Sequence, residues 1–169
     1  MKINRDLYTR HIKDKDKLLE MRKVIDRLEI VINNHITEAT DFLDPYERHL
    51  AKSILNRFMD INYLEMGGLS TAERKIIVIY PDYLDSSNIP EFLSYIRITG
   101  SLEGLSHKDY LGAILGLGVK RSKIGDILVN EAHTSIILKK EVKDFVLLNL
   151  DKIGSKKVFV EEIPYELLE

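Results

Sequence analysis

The fold is decided by residues 91–163, which read EFLSYIRITGSLEGLSHKDYLGAILGLGVKRSKIGDILVNEAHTSIILKKEVKDFVLLNLDKIGSKKVFVEEI. Apolar periodicity, cap residues and turn residues divide this stretch into strand, helix, strand, strand, helix and strand. The predicted elements are residues 92–99, 107–117, 126–130, 134–139, 141–150 and 157–162, with Gly154 expected to stop the second helix. This order is that of the ferredoxin-like βαββαβ plait, which RNA-recognition modules share with many unrelated proteins.

The residues before the plait predict a helical region with a short strand pair. Apolar residues recur every three or four positions in a helix that we place from Leu18 to Ile36, capped by Asp14 or Asp16. Asp44, Pro45 and Glu47 are a start signal for the next helix, because they combine an N-cap, a proline in the first turn and a capping box. A strand near residues 61–66, a turn at Gly67-Gly68 and a buried strand at residues 75–80 follow.

The predicted fold class is therefore α+β. We expect an N-terminal α+β domain at residues 1–84 and an RRM-like plait at residues 85–163, because Asp85-Ser86-Ser87-Asn88 is the most linker-like stretch of the chain. The apolar stripe of the helix at residues 18–36 leaves an alternative open. It could join a coiled-coil dimer, although fewer than three heptads favour packing against the domain's own core.

Composition excludes several classes of function. The chain has 169 residues, 44% of them hydrophobic, and a net charge of −2. Cysteine is absent, so a disulfide framework, a thiolate metal site and a cysteine nucleophile are excluded. No apolar run is long enough for a membrane span, and no secretory signal is visible. The histidines lack metal-ligand spacing, and no nucleophile, phosphate-binding or dinucleotide motif occurs, so we expect no catalytic residues, metal or cofactor.

Basic charge is concentrated in one segment. Residues 61–106 hold six acidic and three basic residues, whereas residues 107–125 hold Lys108, Lys120, Arg121 and Lys123 against Asp109 alone. Gly118 is expected to end the preceding helix in a left-handed cap, and Gly125 to allow a tight turn into the next strand. The loop could bind phosphates, or its cations could simply complement the helix C-terminus.

Two further features of the plait lead to structural predictions. Gly112 and Gly116 lie one helical turn apart, which predicts close approach of their helix to the sheet. On the open face of the sheet, Tyr95, Arg97 and Phe159 would share one side and could stack on single-stranded bases. The third strand, Thr134 to Lys139, has no aromatic residue, which weakens that second possibility.

Three segments resemble the YlmH family. They run from Thr71-Ala72-Glu73-Arg74-Lys75 through Tyr80-Pro81-Asp82-Tyr83, from Leu105-Ser106-His107-Lys108-Asp109-Tyr110 to Ala113, and from Leu117-Gly118-Val119-Lys120-Arg121-Ser122-Lys123 to Val129. Thr40-Asp41-Phe42-Leu43-Asp44-Pro45 is similar as well. The resemblance covers nearly the whole chain. Arg74, Lys75, Lys120, Arg121 and Lys123 fall in matching positions.

The resemblance implies a bacterial, cytoplasmic, RNA-binding protein associated with the large ribosomal subunit. Members of this family are implicated in the rescue of stalled translation, in contact with rRNA and tRNA. They normally continue into a C-terminal alpha-L RNA-binding domain, so residues 164–169 are expected to be a linker towards a domain that this chain lacks.

The sequence therefore predicts a non-catalytic RNA-binding protein without a membrane segment. The predicted RNA contacts are Lys120, Arg121 and Lys123 first, then Arg74, Lys75 and Lys108, with Tyr95 and Arg97 on the sheet face. The alternative function is a protein-interaction or dimerisation module that acts through the helix at residues 18–36. The sequence leaves the oligomeric state and the particular RNA open.

Overall fold

A computed structural model describes residues 1–68 and 73–168. The chain divides into two compact units. The first unit ends at Pro90, and the plait begins at Glu91 in the second unit. The predicted domain limits at residues 84 and 85 remain a proposal, because compactness does not test whether either part folds alone. Thr71 and Ala72 of the family-like segment, and Glu169 of the predicted linker, lie outside the described residues.

The first unit packs three helices against a small antiparallel sheet. Its elements are α1 (Arg5–Thr9), α2 (Lys15–Asn34), β1 (Glu38–Ala39), α3 (Pro45–Leu55), β2 (Ile61–Met66) and β3 (Ile76–Pro81), with sheet order β1-β3-β2. β3 is buried along its whole length, which confirms the predicted buried strand. α1 and β1 were not predicted.

The ends of α2 and α3 follow from their cap residues. The Asp14 carboxylate accepts hydrogen bonds from the backbone N–H groups of Asp16 and Lys17 at 2.9 and 3.1 Å, so Asp14 is the cap. His35 adopts a left-handed backbone with φ 55°, and α2 ends at Asn34 rather than at the predicted residue 36. The capping box of α3 is confirmed, because Asp44 and Glu47 each accept a hydrogen bond from the other's backbone N–H.

The predicted apolar stripe of α2 forms the core of the first unit. Its buried members are Met21, Val24, Ile25, Leu28 and Val31, and each is at most 1% exposed. They belong to one apolar cluster with residues of α3 and β3. The stripe is therefore used within the unit itself, as an amphipathic helix on a domain core requires.

The second unit is the predicted plait. Its elements are β4 (Leu93–Gly100), α4 (His107–Gly116), β5 (Ile124–Val129), β6 (Thr134–Lys139), α5 (Lys140–Asn149), β7 (Lys152–Ile153) and β8 (Lys156–Ile163). The sheet order is β5-β6-β4-β8-β7 with antiparallel neighbours. Without the short β7, this is the strand order of a ferredoxin-like plait, and the α+β class is confirmed.

Three glycine predictions were wrong. Gly154 lies in the turn between β7 and β8 with φ 63°, and α5 ends before it at Asn149. Gly125 lies inside β5, where the register with β6 shifts between Ile124 and Ile127, rather than in a turn before the strand. Apart from chain neighbours and the backbone of α4 itself, no described atom lies within 4 Å of where a Cβ would be at Gly112 or Gly116, so these glycines do not mark a close approach to the sheet.

In the described part of the chain, no helix combines the length and the apolar character that crossing a lipid bilayer requires.

Candidate nucleic-acid interface

The end of α4 positions the basic segment. Gly118 has φ 99°, the left-handed conformation that was predicted, and its N–H donates to the Leu115 carbonyl at 2.9 Å. Val119 is buried and anchors the chain on the core immediately after this cap. Arg121–Lys123 then form a 3₁₀ turn that leads into β5. We call residues 120–123 the basic turn.

The three cations of the basic turn differ in their surroundings. Lys120 is exposed at the start of the turn. The Arg121 guanidinium is partly buried and donates to the Ile124 carbonyl at 2.5 Å, which fastens the turn to the first residue of β5. Lys123 forms an ion pair with Glu141 in the first turn of α5, with 2.6 Å between Nζ and Oε1. The turn therefore presents three cations on a defined backbone rather than on a free loop.

Lys108 belongs to the same unit but not to the basic turn. It is exposed in the first turn of α4. The helix rises about 1.5 Å per residue, so roughly 14 Å separate Lys108 from the end of α4, where the basic turn follows. A single phosphate cannot contact both ends of α4, although a strand of several nucleotides spans that distance.

Arg74 and Lys75 belong to the first unit. The Lys75 backbone exchanges hydrogen bonds with Leu43, at 2.9 and 3.2 Å. The Arg74 charge acts on Asp44. Burial raises the pKa of Asp44, but hydrogen bonds from Glu47 and the charges of Lys17 and Arg74 outweigh burial, and the pKa lies below its ordinary value. Arg74 thus has an electrostatic role at the start of α3, while its predicted contact with RNA remains a prediction.

Tyr95 and Arg97 lie on the side of the sheet opposite Ile96 and Ile98, as predicted. This side is not open over β6, because Ile137 and Ser135 are at most 1% exposed. Tyr95 faces Ile137 of β6 and Ile163 of β8, while Arg97 faces Ser135 and Glu161. Phe159 lies beside Thr99 on the same side and is 62% exposed. The alternation that separates these residues from the buried Ile96 and Ile98 is correct.

The C-terminal 3₁₀ turn, Tyr165–Leu167, covers part of this face. The Tyr165 ring packs on the Tyr95 ring with 5.5 Å between centroids, and the Arg97 guanidinium donates to the Leu167 carbonyl at 2.8 Å. Burial, and then the neighbouring Tyr165, raise the pKa of Tyr95. Tyr95 and Arg97 are therefore engaged within the chain, and among the proposed stacking residues Phe159 is the most exposed.

The contact of residues 165–167 with the sheet was not predicted from the sequence. The available signal was Tyr165 directly after Pro164, an aromatic residue where the chain leaves the last strand. A three-residue turn has no periodicity, so its contact with Tyr95 could not be predicted from pattern alone.

The described residues contain no cluster of side chains that could form a metal centre. Across residues 1–68 and 73–168, no group of three or more histidine, aspartate or glutamate side chains is placed to hold a metal ion. The basic turn brings three cations together in the plait, of which Lys120 is exposed while Arg121 and Lys123 are partly buried.

An α+β protein whose plait carries a basic turn after the plait's first helix, α4, belongs to a class of candidate RNA-binding proteins. A family model described as "YlmH, N-terminal" matches residues 17–84, and one described as "Putative RNA-binding domain in YlmH" matches residues 92–167. The chain belongs to the YlmH family.

Two similar proteins give the range of the likeness. The chain is 29% identical over 160 residues to the ribosome-associated protein quality control protein P2 of Bacillus subtilis (strain 168). The match covers 94% of this chain and 61% of that protein. It thus spans about three fifths of that relative's length. The solved structure of the cell division protein ylmH from Streptococcus pneumoniae has the same fold, with a TM-score of 0.76, 24% identity, and coverage of 92% of this chain and 96% of that one.

Proposed function

We propose that this chain is a non-catalytic RNA-binding factor of the ribosome, which contacts rRNA or tRNA on the large subunit in the rescue of stalled translation. The observation that carries the proposal is the match of residues 92–167 to the family's RNA-binding domain model, on a unit that presents the basic turn. The name of the Bacillus subtilis relative supports the ribosome as the partner.

The basic turn suits phosphate contacts on physical grounds. Phosphate contacts position a protein on a nucleic acid without reading its sequence, and lysine and arginine supply them. The Lys123–Glu141 pair lies at the surface, with side chains 20% and 56% exposed. Such a pair contributes at most about 1 kcal/mol, so a phosphate oxygen can replace the Glu141 carboxylate at little cost.

The test is a triple variant, Lys120→Ala, Arg121→Ala and Lys123→Ala, measured by fluorescence anisotropy against a labelled single-stranded RNA. We expect the affinity to fall to about a tenth of the wild-type value or below. We also expect the plot of log affinity against log salt to flatten by about two units, since each lost phosphate contact on a single strand removes about 0.7 from its slope. A matched control removes three exposed lysines of the first unit, Lys2, Lys13 and Lys15. Equal losses in both variants would contradict the assignment of the turn.

Glu141→Gln supplies a variant with the opposite expectation. It removes the Glu141 carboxylate that pairs with Lys123, so this carboxylate no longer competes with a phosphate oxygen, and we expect RNA affinity to rise by a factor of about two to five. The rise should disappear when Lys123→Ala is added. A fall in affinity in Glu141→Gln would mean that Lys123 does not face the RNA.

The alternative function, a protein-interaction or dimerisation module acting through the helix at residues 18–36, has burial against it. Met21, Val24, Ile25, Leu28 and Val31 of its apolar stripe are buried in the core of their own unit, so these residues are not available for a coiled-coil seam. Light scattering tests this argument. A stable dimer that dissociates when the exposed outer residue Leu19 is changed to Glu would revive the alternative on the other face of α2.

A further inference from the structure

A cavity between α1 and α3 lies outside everything assigned so far. It has a volume of about 350 Å³ and lies wholly within the first unit. Its lining residues are Leu7, Tyr8, Arg10, His11, Ile12, Leu50, Ser53, Ile54 and Arg57. A volume of this size is at the lower end of small-ligand pockets, and it matches one nucleotide better than a larger cofactor.

The chemistry of the lining is divided between an apolar floor and a cationic rim. Ile54 is buried, while Ile12 and Leu50 are half-buried, so apolar surface remains open to the cavity. Arg10, His11 and Arg57 are exposed, and no carboxylate is among the described residues that line the cavity. An occupant with a flat apolar part and a negative charge fits this division.

Arg57 is held in place for such an occupant. Its guanidinium lies over the Tyr8 ring with 5.0 Å between Cζ and the ring centroid, and Tyr8 packs in turn on Phe58 at 6.4 Å. Stacking on an aromatic ring leaves the in-plane N–H donors of an arginine available for phosphate oxygens. The side chain is thus oriented before any ligand arrives, which reduces the entropy that binding must offset.

We infer that this cavity binds one unstacked nucleotide of an RNA strand, with its base on the apolar floor and its phosphate on Arg10 and Arg57. Recognition of single-stranded RNA commonly combines a splayed base against apolar or aromatic side chains with cations along the backbone. The inference rests on the proposed RNA-binding function. It adds to that function a second contact, in the unit that the family models do not describe as RNA-binding.

Ser53 gives the sharpest test, because it is exposed on α3, lines the cavity and donates its hydroxyl to the His49 carbonyl of its own helix. Ser53→Trp fills the cavity without a change of charge, and Ser53→Glu places a carboxylate beside the two arginines. With a labelled single-stranded RNA decamer and the full chain, we expect each variant to lower affinity about tenfold, the scale of one base contact. Circular dichroism establishes that each variant is folded.

The charge contribution is tested separately. Arg10→Gln with Arg57→Gln should reduce the salt slope by about 1.4, two contacts at about 0.7 each, while a control of Lys13→Gln with Lys15→Gln outside the cavity should leave the slope within 0.5 of the wild-type value. In methyl NMR spectra, adenosine monophosphate at millimolar concentration should shift the Leu50 and Ile54 signals more than ribose 5-phosphate does.

The outcomes separate the two proposals. A chain that binds no RNA at all overturns the proposed function and this inference together. A chain that binds RNA through the basic turn, but whose affinity does not change in Ser53→Trp and Ser53→Glu, overturns the inference alone. Shifts with the mononucleotide but unchanged binding of the decamer also overturn it, because the cavity would then serve a free nucleotide.

Discussion

Gly112 and Gly116 lie one turn apart on an exposed face of α4, where no packing contact explains why these positions are glycine. Each glycine makes a helix less stable than alanine would, by about 1 kcal/mol. Apart from chain neighbours and the backbone of α4 itself, no described atom would lie within 4 Å of a Cβ at either position, so no packing contact in the described structure offsets that cost. The two glycines leave a smooth helix surface between Lys108 and the basic turn.

We expect Gly112→Ala to stabilise the protein by about 0.5 to 1 kcal/mol, because alanine loses less backbone entropy in a helix and space for its methyl group exists. Urea unfolding with an unchanged slope measures the gain. Gly118→Ala is the matched control. Its backbone has φ 99°, so a side chain there should destabilise by about 1 to 2 kcal/mol. A destabilised Gly112→Ala would show that a contact at this position has been overlooked.

At the scale of elements, α1 is held by charge as much as by packing. Ile3 is buried in the core of the first unit, and its N–H donates to the Glu29 carboxylate of α2 at 2.6 Å. Arg5 forms ion pairs with Asp26 and Glu29. These contacts hold α1 and the residues before it against α2, and α1 and α3 both contribute residues to the cavity.

The attachment of α1 should depend on pH. Burial raises the pKa of Glu29, but the Ile3 N–H and the Arg5 guanidinium favour the carboxylate and bring the pKa below its ordinary value. A carboxyl group with a lowered pKa stabilises the fold above its unfolded pKa, about 4.3, and loses that contribution as the pH falls through the folded pKa. We therefore expect the Ile3 methyl signal to move towards its unfolded position below about pH 4.

Glu29→Gln should produce the same loosening of α1 at neutral pH, with amide exchange in Arg5–Thr9 faster by about tenfold. Glu20→Gln is the control on the same helix, because the ion pair of Glu20 with Lys23 lies within α2. Equal exchange in wild type and Glu29→Gln would contradict the role of this carboxylate.

The elements that escaped prediction share a physical cause. α1, β1 and β7 have five, two and two residues, which is too short for a periodic pattern, and tertiary contacts form them. The long elements were predictable because their apolar residues follow the period of a helix or strand or, as in β3, form a continuous β-branched run. The capping box of α3 was predictable because it is local in sequence.

The candidate site was predictable only in part, for a related reason. The basic turn depends on a local signal, the left-handed Gly118 followed by cations, and its conformation matches the prediction. The cover on Tyr95 and Arg97 comes from residues about 70 positions later in the chain. The cavity brings Tyr8 and Arg57 together across about 50 positions of sequence, which no spacing rule describes.

At the scale of the whole molecule, charge limits how RNA can be bound. The chain has 25 basic and 27 acidic residues, so its net charge does not attract a polyanion. Attraction must come from local groups of cations, since a partner responds to the local field. If each of the three cations of the basic turn and each of the two cavity arginines contacts a phosphate, five contacts are available. The salt slope on single-stranded RNA should then be about −3.5.

This slope sets an expectation for ribosomes. With a slope near −3.5, a rise in salt from 0.1 to 0.4 M lowers affinity by roughly a hundredfold, since a fourfold change enters to the power of 3.5. We expect the chain to co-sediment with isolated large ribosomal subunits at 0.1 M potassium chloride and to be released by 0.4 M, while the triple variant of the basic turn should already be free at 0.1 M. Retention at 0.4 M would indicate an apolar docking surface instead. A slope steeper than about −6 would mean that cations beyond the basic turn and the cavity, with Arg74, Lys75 and Lys108 the first to examine, also contact the RNA.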